Sequence, residues 1–166
     1  MPAESAADRL HLRLMPLAEA RELLKARPSA VASGRWHPDY PQAETLEALS
    51  MLFAGYEASG EILTSEPDWW IHQLVVEDQV GGDIGFHGPP ADGRVEIGYA
   101  VVPARRGQGL ATRACALIVE FAWRAGAGVV LAEAEPDNTA SRKVLLDNGF
   151  VAVDDRRFLI NRPAPW

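Results

Sequence analysis

Apolar positions repeat along the chain with two periods, and the switches between them mark out the elements. Leu10, Leu12 and Leu14 alternate with His11 and Arg13, which predicts a first strand. Pro16 to Arg27 carries Leu17, Ala20, Leu23 and Leu24 on one helical face, with Pro28 past its end. A second helix is predicted over Thr45 to Ser59, with Leu46, Leu49, Phe53 and Tyr56 on one face. After a polar break at 64–68 the period returns to two. Trp69 to Glu77 and Gln79 to Phe86 read as strands joined by a turn at Asp78. Val95, Ile97, Tyr99 and Val101 alternate with Glu96, Gly98, Ala100 and Val102 in a central strand. Pro103 ends it, having no N–H for a ladder.

Leu110, Ala114, Leu117, Ile118 and Phe121 then mark a third helix, which stops near Gly126 and Gly128. Val129-Val130-Leu131 opens a strand that ends at Pro136. Asp137 or Asn138 caps a fourth helix carrying Val144 and Leu145. Gly149 sits where a left-handed C-cap belongs, with Phe150 as its apolar contact. Residues 150–153 and 158–160 make a last hairpin. Strands outnumber helices and mix with them, which predicts a single α/β (α+β) domain over residues 1–166. Residues 1–8 are small and polar and are expected to fray.

Composition narrows the classes. A chain of 166 residues with 48% hydrophobic and 23% charged residues is an ordinary globular domain. The net charge of −7 argues against a nucleic-acid-binding face, which would need a basic surface. It permits a cationic substrate, although solubility alone also explains it. The single cysteine, Cys115, rules out an internal disulfide and points to a cytoplasmic setting. Residues 1–10 lack an apolar core and no apolar run approaches 18 residues, so neither a signal peptide nor a membrane span is expected. His11, His37, His72 and His87 are scattered without ligand spacing, and no metal is predicted.

The densest chemistry lies between the central strand and the third helix, in Arg106-Gly107-Gln108-Gly109-Leu110-Ala111-Thr112. A strand, a glycine turn and a helix start form an anion site, because the first helical N–H groups lack internal partners and the macrodipole is positive there. Residues 106–112 therefore read as a phosphate cradle, or as an ordinary tight connection. They contain no P-loop string, and Thr112 stands where a dinucleotide fold has its third glycine. Glu133, 24 residues after Gly109, would suit a ribose, but too little chain follows residue 135 to complete such a fold.

Arg106, Gly109 and Ala111, followed by Asn138, Ser141 and Gly149-Phe150, resemble the GNAT superfamily of acyl-CoA-dependent N-acyltransferases in order and separation. R-L-H-L-R near the start, I-G-Y-A-V-V-P, R-G-Q-G-L-A-T and P-D-N-T-A-S are most similar to the branch that includes ribosomal-protein N-terminal acetyltransferases. The resemblance implies a mixed, mostly antiparallel sheet of about six to seven strands with about four helices, splayed between its fourth and fifth strands. It implies acetyl-CoA as co-substrate and direct transfer to a primary amine, either a protein N-terminus or a small molecule, by a monomer or homodimer. A non-catalytic acyl-CoA-binding or sensor module is the alternative, and a dinucleotide oxidoreductase a distant third.

The resemblance also assigns residues. Residues 106–112 would hold the pyrophosphate, the backbone of Val101 and Val102 would face the thioester, and Asn138 would bond the pantetheine arm while capping its helix. Ser141 would touch the sulfur or hold the cofactor. Glu96 would be the general base, its pKa raised by partial burial, or else a strand residue in an ion pair. Many relatives place a tyrosine acid on the helix after the Asn; this helix has none, and Tyr99 reads as core. Arg35, Trp36, His37 and Tyr40 lie in a loop that would grip the acceptor or act as an anchored flap. Cys115 reads as a buried packing residue, not an acyl carrier.

Overall fold

The computed structural model describes residues 3–25 and 35–165. Its centre is a hairpin of β2 (Ile71–Val76) and β3 (Gln79–Phe86), which reverses at Glu77 and Asp78 with φ of 51° and 61°. β4 (Arg94–Val101) pairs antiparallel with β3, and β1 (His11–Leu14) pairs antiparallel with β2. β5 (Val129–Glu133) runs parallel to β4, and β6 (Val151–Ala152) and β7 (Arg157–Asn161) close the sheet in the order β1-β2-β3-β4-β5-β7-β6. The helices are α1 (Leu17–Leu23), α2 (Ala43–Ala58), α3 (Leu110–Arg124) and α4 (Thr139–Asp147). A 3₁₀ turn, Pro103–Arg105, follows β4.

Strand alternation divides the core in two. Ile84, Phe86, Val95, Ile97 and Val101 pack with Ala114, Cys115, Ile118 and Ala122 of α3 on one face. On the other face Ile71, Val75, Val80 and Val102 pack with Leu49, Leu52 and Tyr56 of α2. Trp70 is fully buried there and donates its indole N–H to the Met15 carbonyl at 3.0 Å.

One break in the sheet creates the site. Parallel pairing of β4 with β5 runs from Arg94↔Val129 to Ile97↔Ala132 and then stops, while β4 continues beside β3 as far as Gly82↔Val101. Gly98 to Val101 therefore have no strand on the β5 side, and the sheet splays there.

Two details depart from the sequence reading. Residues 3–9 do not fray: Ser5 and Asp8 close a turn through Asp8 N–H to the Ser5 carbonyl at 3.1 Å, and Ala6 packs on the α3 side of the sheet. The first helix ends at Leu23, and residues 26–34 lie outside the described part. Among the described residues no helix is long and apolar enough to cross a membrane, and no group of three metal-binding side chains occurs.

Candidate active site

The turn after β4 owes its glycines to backbone conformation. Gly107 and Gly109 have φ of 73° and 77°, the left-handed region where a side chain is strained. A Cβ at Gly107 would meet no protein atom within 4 Å, so the positive φ and not crowding within the protein accounts for glycine there. Gly109 is the N-cap of α3, and the first helical bond runs from the Arg113 N–H to the Gly109 carbonyl at 3.0 Å. The N–H groups of Leu110, Ala111 and Thr112 thus precede any intrahelical partner.

These groups open onto a groove of about 650 Å³. One wall is Val101, Arg105, Arg106, Gly107 and Gly109–Thr112, and the other is Asn138, Ala140, Ser141, Lys143 and Val144 of the α4 region. Arg106 is fixed by its Nε, which donates to the Val101 carbonyl at 2.9 Å. Arg105 and Lys143 add cationic groups that the sequence reading did not single out, Lys143 in an ion pair with Asp147, which lines the groove too. Gln108 does not line the groove, and its side chain turns to the Ala104 carbonyl at 3.4 Å.

Val102 is corrected as a thioester contact. Its N–H donates to the Gly81 carbonyl at 2.9 Å, its carbonyl accepts from Arg105 N–H at 2.9 Å, and its side chain is fully buried. The Glu96 carbonyl likewise points to the β3 side, accepting from His87 N–H at 2.9 Å. Backbone groups alternate along a strand, so those of Tyr99 and Val101 point the other way, into the splay.

A second cavity, of about 420 Å³, lies across the splay and meets the groove at Glu44, Tyr99, Ala100, Asn138 and Ser141. Among the described residues, six carboxylate side chains line it: Glu44 and Glu47 from α2, Asp83 from β3, Glu96 from β4, and Glu133 and Glu135 at the end of β5. None of the described lysines or arginines lines it, and His87 is the one described imidazole that does. Asp83 is 5% exposed and accepts from the Thr45 hydroxyl at 2.6 Å; burial outweighs that bond and pushes its pKa up to about 7.

Glu96 faces this cavity half-buried, with Oε1 3.5 Å from His87 Nδ1. Its pKa is not raised. The His87 imidazole stabilises the carboxylate and holds it below the usual glutamate value, against the opposing effect of burial. Gly98 makes room for His87, since a Cβ there would lie 2.6 Å from Nε2.

Tyr99 is more than core. From β4 its hydroxyl reaches Ser141 Oγ at 2.7 Å and the Ser141 carbonyl at 3.1 Å, and it lines both groove and cavity. Burial pushes the phenol up to about 12. Asn138 caps α4 by accepting from Ser141 N–H at 3.0 Å.

The loop before α2 is an anchor. Val80 N–H donates to the Arg35 carbonyl at 2.7 Å, and His37 N–H donates to the Val80 carbonyl at 2.8 Å. Trp36 and Tyr40 meet edge to face at 5.8 Å in the second core, 3% and 2% exposed, so neither is presented to a ligand. Arg35 and His37 do not line the cavity either. Cys115 is fully buried under α3, its thiol pushed up to about 12 by burial.

A family profile described as the acetyltransferase (GNAT) domain matches residues 9–151. Solved structures with similar folds include Mycobacterium smegmatis RimJ in complex with CoA-disulfide, 20% identical, covering 95% of this chain and 84% of that one with a TM-score of 0.61. They also include YncA of Salmonella typhimurium with its cofactor acetyl-CoA, 20% identical over 92% and 94% of the two chains, TM-score 0.57. The ribosomal-protein-S5-alanine acetyltransferase of Vibrio fischeri is 15% identical over 91% of each chain, TM-score 0.59. The search of curated proteins gives no match.

Proposed function

The chain belongs to the GNAT acetyltransferase family, and on that premise we propose that it moves an acetyl group from acetyl-CoA to a primary amine that carries further positive charge. The observation that carries this reading is the junction at the splay. A groove at a helix N-terminus, with Arg105 and Arg106 beside that end, and an acidic cavity open on the same Tyr99, Ala100, Asn138 and Ser141.

Each side suits one substrate. The N–H groups of 110–112, with Arg105, Arg106 and Lys143, match a pyrophosphate, and a glycine-initiated helix start needs no added ligand to do so. The Tyr99 and Val101 backbone groups in the splay suit the pantetheine amide and the thioester carbonyl, whose oxygen gains charge on attack. Asn138 and Ser141 stand where the arm would enter. On the far side, the lining carboxylates favour an ammonium group and repel anions. Transfer is direct in a ternary complex, because the one cysteine is buried and its thiol is held protonated. A cytoplasmic setting belongs to the same reading and rests on that lone thiol.

The test is CoA release from acetyl-CoA in the presence of spermidine, n-butylamine or an alanine-initiated peptide. Spermidine should be the best of the three, and its advantage over butylamine should shrink as salt is raised. Tight acetyl-CoA binding with no CoA release for any amine would instead assign a non-catalytic acyl-CoA module.

A further inference from the structure

We propose that His87 takes the proton from the acceptor amine and that Glu96 is the positioning residue that holds its ring. This rests on the acyl-transfer reading above and names the base that the reading leaves open.

The placement of His87 is built from both neighbouring strands. It follows the last residue of β3, and its backbone N–H is tied to the Glu96 carbonyl on β4 at 2.9 Å. Its Nδ1 faces Glu96 Oε1 at 3.5 Å, and its Nε2 lies over Gly98, where any side chain would collide with it. Gly98 is the residue just before Tyr99, whose backbone faces the splay. So the ring stands on the cavity side of β4, beside the point where the groove ends. A carboxylate on one nitrogen fixes the tautomer and leaves the other lone pair to accept.

Glu96 is the weaker candidate for the proton itself. It lines the same cavity, but the imidazole stabilises it as an anion and holds its pKa below the usual glutamate value. The other titratable groups facing this space are Glu44 and Glu47 from α2, Asp83 from β3, and Glu133 and Glu135 from the end of β5. All are carboxylates, which hold an ammonium group; Asp83, whose pKa burial raises to about 7, is 5% exposed and already bonded to the Thr45 hydroxyl, so it meets an amine less openly than His87 does.

The step balances without a further reactant. An ammonium N–H proton moves to His87 Nε2, and the freed nitrogen lone pair forms the N–C bond at the thioester carbonyl carbon. The carbonyl π pair moves to oxygen and returns as the C–S bond breaks. The nitrogen sheds a second proton, which ends on the CoA thiolate, and the first passes from Nε2 to water.

The experiment compares His87→Gln, His87→Asn, Glu96→Gln and Glu96→Ala with the parent, using acetyl-CoA and spermidine between pH 6 and 10. Calorimetry with CoA and a melting curve check that each variant is folded. His87→Gln and His87→Asn should each lower kcat at pH 7 by about 10²-fold with KM for spermidine little changed, and the deficit should shrink as the pH approaches the amine pKa. Glu96→Gln should keep most of the activity, because its amide oxygen still accepts from Nδ1–H, whereas Glu96→Ala should lose about tenfold. Parental kcat and an unchanged pH profile in both His87 variants overturn the proposal. So does a greater loss in Glu96→Gln than in the His87 variants, which would make the carboxylate the base. If the parent releases no CoA with spermidine, n-butylamine or the alanine-initiated peptide, the acyl-transfer reading falls as well; if the parent is active and the His87 variants match it, that reading stands and only the base assignment falls.

Discussion

The hydroxyls of Tyr99 and Ser141 lie 2.7 Å apart, joining the middle of β4 to the first turn of α4 across the splay. Tyr99 has one proton, and its oxygen is also 3.1 Å from the Ser141 carbonyl. When the phenol donates to that carbonyl, Ser141 Oγ–H donates to the phenol; when the phenol donates to Oγ, the serine proton is free for the groove.

This pair should aid the leaving thiolate as a hydrogen-bonding unit, not as a strong acid. A phenol pushed up to about 12 is a reluctant proton donor at neutral pH. A thiolate whose conjugate acid has a pKa of about 8.5 leaves with modest help. Tyr99→Phe and Ser141→Ala should each lower kcat by about tenfold, near the upper end for one hydrogen bond. The double variant should be little worse than either single one, since both break the same contact. Steady-state kcat at saturating acetyl-CoA decides this, and a loss beyond about 10³-fold in Tyr99→Phe would make it a true general acid.

Gly109→Val should weaken CoA binding more than it weakens the fold. A branched side chain at φ of 77° costs roughly 1–2 kcal/mol and shifts the start of α3, where the orphan N–H groups lie. The space around Gly109 is not crowded, because a Cβ there comes only to 3.6 Å from Ala7 Cβ. Calorimetry with CoA should show at least tenfold weaker binding alongside a small fall in Tm. Unchanged affinity would mean that the pyrophosphate does not use this turn.

Cys115→Ala should transfer acetyl groups nearly as well as the parent. The thiol is fully buried in the α3 core with a pKa of about 12, so it presents no nucleophile. The variant should lose some stability, because a buried sulfur leaves a small gap. Ping-pong kinetics, or acetyl on Cys115 in a mass spectrum, would contradict direct transfer.

The parts legible in the sequence were those fixed by local rules. Period-two and helical spacing placed β3 at Gln79–Phe86 to the residue, because alternation and the Asp78 turn bound it at both ends. Gly107 and Gly109 were readable because a turn at positive φ before a helix favours glycine, whereas Arg106 was legible through the resemblance to the GNAT turn. The cavity was not readable, since its carboxylates come from α2, β3, β4 and β5 and meet only through tertiary packing. His87 stood out in the sequence only as one of four scattered histidines, and the pairing of β3 with β4 is what sets it over Gly98. Trp36 and Tyr40 left two readings open, a ligand grip or an anchored flap, because aromatics among polar residues suit either; backbone bonds to Val80 fold them inward as the flap.

Asp83 should make the protein less stable as the pH rises, and Asp83→Asn should remove that loss. The folded chain holds the Asp83 proton up to about pH 7, because the carboxyl is buried against α2, where the Thr45 hydroxyl donates to it. The unfolded chain releases the same proton near pH 4. Between these values the folded state binds more protons than the unfolded state, so stability falls with rising pH across the window and levels off above it. Below about pH 4 both states are protonated and the effect vanishes. In Asp83→Asn the amide carbonyl can still accept from Thr45, and nothing there ionises. Its Tm should match the parent near pH 4 and exceed it by a few degrees at pH 8, with a flatter profile between. Other titrating groups act on both proteins, so the difference isolates this carboxyl. The same substitution should raise KM for spermidine at pH 8, where an ionised Asp83 would lie against a cation in the cavity. A variant that tracks the parent Tm at every pH would show that the carboxyl ionises there without cost, and an unchanged KM would remove Asp83 from acceptor binding.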